Sequence, residues 1–422
     1  MANEMQWRAL AERVGEHGEE LCEALRELYS VFGPEIVDWY ASLYDPEHGM
    51  WYHSRSGQLG EQFLPDIESM CDTMGFLQSM GACGGRPWYD TLPYWLIKRA
   101  AKFIYDLQDE DGYFYHPQWG KNIHNLRKSR DLGTCERFLK YFNTAPKYKI
   151  PGAEDDSADG AEQEYDISKA PTHFQTVENF KNYLYGMDFD TRSYNTGSEI
   201  SSEMGEIEYY GKMLGTDFVD MTMKHLAEKQ REDNGIWHPE VNYYGGNGAQ
   251  KISKIFNWMG YKIPYPDKGI ESTMAVIMLD ATPGATVDVY NPWRALSDFV
   301  KNKIQYCSKE EADALMQRIY AWAPAAIRKS AEKIRLFKQA DGALSYSLKG
   351  CCPTKCGSPC GSPDAKEGDV NGTSCGSSAL IDSIYLALGL TEYAVPVYSE
   401  EDMKRFISIV EKRENDYLAS KK

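Results

Sequence analysis

No stretch of the chain reaches the roughly 18 consecutive apolar residues that a membrane-crossing helix needs. Met1 to Gly18 is polar and acidic, without the basic start and apolar centre of a secretory leader. Basic residues are in deficit, because 46 Lys and Arg against 63 Asp and Glu leave a net charge of −17. That balance excludes a general nucleic-acid binder, which needs a basic face to displace counterions, and gives no polybasic membrane surface. Strand-like alternation is hard to find anywhere. A serine-nucleophile elbow, a phosphate loop and a dinucleotide fingerprint are all absent. What remains is a cytoplasmic enzyme or binding protein for a small molecule or glycan, its oligomeric state open.

The periodic segments are helical. In Leu64 to Gly81, Ile67, Met70, Cys71, Met74 and Leu77 recur at three and four residues, one helix face. Asp90 is expected to cap a second helix to about Leu107, with Pro93 tolerated in its first turn. Further helices are predicted over about 5–31, 122–142, 174–185, 199–214, 217–231, 248–260, 270–280, 292–306, 309–322, 325–339, 374–389 and 400–418. The fold class is all-α.

A phrase recurs in the connections. It begins at Tyr44-Asp45-Pro46-Glu47-His48-Gly49-Met50-Trp51-Tyr52-His53 and returns around Gly112, Gly235 and Gly342. Each copy follows a helix, supplies a Gly for a left-handed helix end, and then places aromatics in a short extended segment. The Gly spacings of 63, 123 and 107 fit a unit of about 50–60 residues, one long helical hairpin. Helix, then Gln-x-x-Asp-Gly-x-aromatic, then helix resembles the repeat of the (α/α) toroids. These include terpenoid cyclases, protein prenyltransferases, toroid glycoside hydrolases and the toroid domains of polysaccharide lyases. The resemblance covers most of residues 30–390. It implies one (α/α)6-type toroid domain over 1–422, with inner helices lining a central cavity, and is nearly silent on chemistry.

Ala153 to Pro171 is acidic and poor in apolar residues, so it is expected as a solvated, protease-sensitive excursion. Its Asp155-Asp156-x-x-Asp159 matches the magnesium motif of class I terpene synthases. That motif belongs on a helix facing a dry pocket, whereas here it sits in a Gly-containing loop. The Asp-x-Asp-Asp motif of protonating cyclases is absent.

Trp237-His238-Pro-Glu240-Val-Asn242-Tyr243-Tyr244-Gly-Gly-Asn247 is the richest stretch. It resembles the Asp-Gly-x-x-x-Glu-x-x-x-Tyr-His phrase of heparinase-like lyases, with Tyr244 in place of the final His. The resemblance implies β-elimination from a uronate, with a Tyr or His base and an Asn, Gln or Arg carboxylate neutraliser. Tyr243 or Tyr244 is the expected base, His238 its partner, and Asn247 or Arg130 the neutraliser, with Arg130 also the cation that would lower the phenol pKa. The alternative is that Trp237 and the tyrosines pack the hairpin while His238 binds a backbone carbonyl. Further substrate-binding candidates are His53, His116, Trp119, Trp237, Glu240, Asp369 and Asn371. His116 and Trp119 suit a sugar platform. Arg127 and Arg130 suit a carboxylate clamp, unless they pair with Asp131 or Glu136. Asp66-Ile67-Glu68-Ser69 and Gly269-Ile270-Glu271-Ser272 both read as the starts of inner helices. Glu68 and Glu271 there bind substrate or form the acid/base pair of a glycoside hydrolase, unless they only cap. A toroid that binds a glycan or peptide without turnover is the third possibility.

Five of the ten cysteines, Cys351, Cys352, Cys356, Cys360 and Cys375, crowd one loop over 351–375. No C-x2-C pair repeats, so zinc-ribbon spacing is missing. No cofactor is required, and a structural zinc, a redox staple and incidental thiols stay open for the loop. The other five read as buried reduced thiols.

Overall fold

The computed structural model describes residues 2–151, 166–363 and 365–422, and within them helices dominate. The chain opens with α1 (Ala2–Val14), α2 (Gly18–Tyr29) and α3 (Glu35–Ser42), then a small hairpin of β1 (Tyr44–Asp45) and β2 (Met50–Trp51). It continues through α4 (Arg55–Leu59), α5 (Ile67–Ser79), α6 (Tyr94–Leu107), α7 (Asn125–Tyr141) and α8 (Val177–Tyr185). Next come α9 (Ser193–Met213), α10 (Phe218–Lys229), α11 (Tyr243–Met259), α12 (Pro266–Ile277), α13 (Val287–Gln305) and α14 (Lys309–Arg335). A second hairpin, β3 (Thr354–Lys355) and β4 (Ser358–Pro359), precedes α15 (Val370–Gly376), α16 (Ser378–Ala387) and α17 (Glu400–Ser420).

The recurring phrase is a chain-reversal device. Gly49, Gly112, Gly235 and Gly342 all have positive φ, between 71° and 87°, a region that costs any residue with a Cβ. The residue before three of them accepts a hydrogen bond from the backbone two positions on: Asp111 from Tyr113, Asn234 from Ile236 and Asp341 from Ala343. The Gln of the phrase closes the turn from the other side. Gln108 donates to the Gly112 carbonyl and accepts from Tyr148 N–H; Gln230 does the same with Gly235 and Tyr265.

The helix contacts close on themselves. α5 packs on α7, α7 on α9, α9 on α11, α11 on α13, α13 on α16, and α16 on α5, with α15 against α5, α13 and α16. Neighbours in this circuit run parallel where side chains pin them. Asn247 near the start of α11 bonds Asp288 and Asn291 near the start of α13, while Asn257 bonds Asn302 near both ends. The other helices lie against the circuit or against one another, α6 on α7, α10 on α9, α12 on α13, α14 on α2 and α17 on α3. One contiguous apolar cluster runs from Trp7 to Val410. Among the described residues no helix is long and apolar enough to cross a membrane.

Several boundaries differ from expectation. Three helices of the circuit begin five or six residues earlier than their apolar periodicity indicates, at Ser193, Tyr243 and Val287. The predicted helix over 5–31 breaks at Gly15, with φ 83°. The predicted pair 309–322 and 325–339 is one helix that carries Pro324 inside it. Asp90 ends a short 3-10 turn, and Pro93 takes the cap position of α6. The Asp155-Asp156-x-x-Asp159 motif lies outside the described residues. Of the acidic excursion, 166–171 is described, with a 3-10 turn over Ile167–Lys169.

Candidate functional site

Asp66 caps α5, accepting from Glu68 N–H at 3.0 Å and from the Ser69 hydroxyl at 2.7 Å. Its other partner is Arg127 of α7, at 3.1 Å, whose Nε–H is also shared between the two Asp131 oxygens, each at 2.9 Å. Arg127 is fully buried, so it reaches no ligand, and its pairing with Asp131 is the structural alternative. Trp119 packs on the Arg127 guanidinium at 4.4 Å and on His116 at 4.3 Å, and donates to the Pro359 carbonyl. His116 is buried and bonded to the Pro65 carbonyl. These groups dock the β3–β4 hairpin onto α5 and α7, which leaves neither His116 nor the Trp119 indole free as a sugar platform.

Two residues beyond Asp66, Glu68 receives both prongs of Arg130, at 3.0 and 2.5 Å. Lys355 of β3 lies 3.5 Å from Glu68 and forms an ion pair with Asp72. Burial opposes ionisation of Glu68, but Arg130 and Lys355 outweigh it and hold the carboxyl well below the usual range. Asp72 shifts the other way, raised by burial and by the Glu68 charge. Arg130 is thus paired with Glu68, and the phenol it acts on is Tyr194, not Tyr243 or Tyr244.

Toward the middle of the helix circuit, half-buried side chains converge from several elements. Tyr194 of α9 lies beside Tyr346, and Lys251 of α11 sits 5.5 Å from the Tyr194 ring. Arg130, Cys356 and Cys375 all act electrostatically on Lys251. Lys254, one turn along, feels Lys251, Arg130, Asp298 and Arg294. Neither lysine has a hydrogen bond or ion pair to a carboxylate among the described residues. Burial, and then cationic neighbours, push Lys251 down to about 8 and Lys254 down to about 7. Tyr290 of α13 faces the same centre, its phenol raised by burial and then by Cys375. Two surface grooves lie elsewhere, one past Cys71, Trp88 and Arg137, the other past Lys212, Asp217 and Trp258. They bring together no comparable set of charges.

The stretch read as the heart of the site is divided. Trp237 is buried, donates to the Leu226 carbonyl and packs on Phe256 and Phe299. At 1% exposed it is a core residue, the packing alternative for this position. His238 bonds within its own turn to the Glu240 backbone, and Glu240 accepts from Asn242 at the surface. Tyr243 donates to the Ala281 carbonyl at 2.6 Å with Lys333 over its ring, away from Arg130, and its phenol is pushed up to about 12 by burial and then Asp288. Tyr244 touches both His238 and Tyr194 edgewise, which links this stretch to the centre. Asn247 ties α11 to α13 through Asp288 and Asn291.

The two similar carboxylate phrases part company. Glu68 lies on α5 in the circuit, whereas Glu271 is exposed on α12, outside it. Gly269 in that second phrase is not a helix start; a Cβ there would lie 2.4 Å from Phe299, so the small residue serves close packing. Asp369 caps α15, is fully buried, and accepts from the N–H groups of Gly372, Tyr346 and Cys352. Burial still lifts its carboxyl to about 7. Asn371 accepts from the Cys375 thiol. His53 is buried beside Asp369, at 3.6 Å. All ten cysteines are free thiols. Lys251, Lys254, Lys355, Asp72, Tyr194, Tyr290 and Tyr346 were not visible as site residues in the sequence. The one signal was the Lys-x-x-Lys spacing opposite Ala249, Ile252, Ile255 and Phe256, which reads equally as a solvated face. No family model matches the chain, and no curated protein or solved structure is significantly similar to it.

Proposed function

We propose that the closed helix circuit is an (α/α)6-type toroid whose centre takes a uronate-containing oligo- or polysaccharide and cleaves it by β-elimination. Lys251 and Lys254 carry the proposal, as two half-buried amines one helical turn apart without a carboxylate partner among the described residues, in a protein of net charge −17. Enclosing cations without a counter-charge is costly, and an acidic ligand supplies the missing charge.

Elimination needs a base, a neutraliser for the carboxylate, and a proton for the leaving oxygen. Lys254, held at about 7, is the base in place of Tyr243 or Tyr244, because a large fraction of it is free amine at neutral pH. Lys251, at about 8, stays mostly charged and, with Arg130, receives the carboxylate as negative charge grows on it. The C5–H bond breaks toward the Lys254 nitrogen, the C4–O bond breaks, and the C4–C5 double bond forms. The Tyr194 hydroxyl gives its proton to the departing oxygen, and solvent returns the Lys254 proton to Tyr194.

A glycoside hydrolase is the second possibility, favoured by the opposite shifts of Glu68 and Asp72 around Lys355. A non-catalytic glycan binder needs the cations alone. Incubation with a panel of uronate oligosaccharides separates the three. Elimination gives an unsaturated product with ultraviolet absorbance, hydrolysis gives reducing ends without it, and a binder gives neither. Lys254→Met is expected to lower kcat by about 10²–10⁴, and Lys251→Met to act chiefly on KM. Reducing ends without absorbance, abolished by Asp72→Asn and untouched by Lys254→Met, would replace the lyase with the hydrolase.

A further inference from the structure

We propose that His53, Cys351 and Asp369 form a structural zinc site that fastens the Cys-rich loop to the start of α15. One ligand atom from each side chain lies within 4.8 Å of the other two, and all three residues are buried. His53 Nε2 and Asp369 Oδ1 are 3.6 Å apart, too far for a good hydrogen bond. That spacing is close to the edge of about 3.4 Å between two ligands of a tetrahedral zinc ion at its usual bond lengths.

His53 supplies the independent observation. It is 1% exposed, and among the described residues neither ring nitrogen has a hydrogen-bond partner of good geometry. Buried polar groups in native proteins are almost always satisfied, and a zinc bond to Nε2 satisfies one of the two nitrogens. The surroundings hold the ligands in place. Three backbone N–H groups aim the Asp369 carboxylate, the kind of outer support that orients metal ligands. The His53 carbonyl accepts from Val370 N–H, and Ser54 pairs with Asp369 across an isolated β-bridge. Ligands from three distant segments are therefore assembled by backbone contacts.

The donor set selects the ion. Imidazole, thiolate and carboxylate together suit zinc, whereas calcium and magnesium take oxygen ligands. Binding expels the Cys351 thiol proton to solvent and forms the zinc–sulfur bond. The Cys351 thiol donates to the Cys352 carbonyl at 3.4 Å, a weak bond that zinc replaces, and a water fills the fourth position. The neighbouring thiols point elsewhere, Cys352 to the Thr354 carbonyl and Cys375 to Asn371.

The test uses the full chain equilibrated with zinc, desalted, and assayed for bound metal. About one zinc per chain is expected, falling roughly tenfold or more in His53→Ala and Cys351→Ser and unchanged in Cys352→Ser. Cobalt(II) in its place is expected to show a thiolate charge-transfer band that Cys351→Ser removes. Should either ligand variant fail to fold, the unmodified protein decides, because Cys351 should resist alkylation when zinc-loaded and react after chelation. Failure to hold zinc, full retention by a folded His53→Ala, loss in Cys352→Ser, or Cys351 labelling indifferent to chelator would each overturn the site.

Discussion

Glu68 shows how much rests on a single carboxyl. It accepts two bonds from Arg130 and lies near Lys355 while almost fully buried. Removing one member of a buried pair leaves the other charged and unpaired. Glu68→Gln is therefore expected to cost about 3 kcal/mol, read from the midpoint of a urea denaturation curve. His48 offers a gentler residue-scale test. Its bond to Asp45, opposed by partial burial, raises its pKa above the ordinary value of 6.5. The folded state then binds the proton more tightly than the unfolded state. That stabilisation is complete below the ordinary value and is lost as pH rises through the raised one. Wild type should lose stability relative to His48→Gln between pH 6 and 8; parallel curves would remove the linkage. The two central lysines make the corresponding prediction for activity. With Lys254 required neutral and Lys251 required charged, kcat/KM should be bell-shaped with limbs near pH 7 and 8. A flat profile across that interval would exclude them as the working pair.

Among the elements, the left-handed glycine turns separate into two classes. Gly260 has φ 74° with nothing near a hypothetical Cβ, whereas at Gly235, φ 71°, the Cβ would fall 2.3 Å from the Gly269 backbone nitrogen. Gly260→Ala should cost about 1 kcal/mol, the backbone penalty alone. Gly235→Ala adds overpacking of about 1–3 kcal/mol against α12, so equal melting temperatures for the two variants would contradict this account. The Gly turns were legible in the sequence because their chemistry is local. Glu68, Arg130, His53 and Asp369 were legible as residue types, but their partners were not, since those come from helices and loops tens to hundreds of residues away. The inner-helix starts were hidden for a different reason. Gly245 and Gly246 read as loop and Gly248 as a helix start, yet all three lie within α11, whose cap is Asn242. A Cβ at Gly248 would meet Ser193 at 2.4 Å. Gly248 lets α9 and α11 approach, and Gly246 lets α11 close on Val276 and Pro292, tertiary demands that outweigh poor helix propensity. Lys251 and Lys254 were misleading in turn, because an inner helix is covered on one face by apolar packing and on the other by the centre of the circuit.

At the scale of the molecule, the first and last parts of the chain share one seam. Trp51 stacks on Phe406 of α17, while Arg99 and Tyr44 both bond Glu414. Arg405 reaches back to Asp38. Phe406→Ala should therefore cost about 3–5 kcal/mol and be felt throughout, with one cooperative transition retained in calorimetry. Two resolved transitions would mean that the apolar cluster is not a single unit. The seam also sets a timetable. Tyr44 and Glu414 are 370 positions apart, and ribosomes add about 5–20 residues per second. The aromatic face of the first hairpin must then wait roughly 20–70 s in the nascent chain for the helix that covers it. During that interval Trp51 and its neighbours are a target for holding chaperones, and cells that lack them should yield this protein as aggregate.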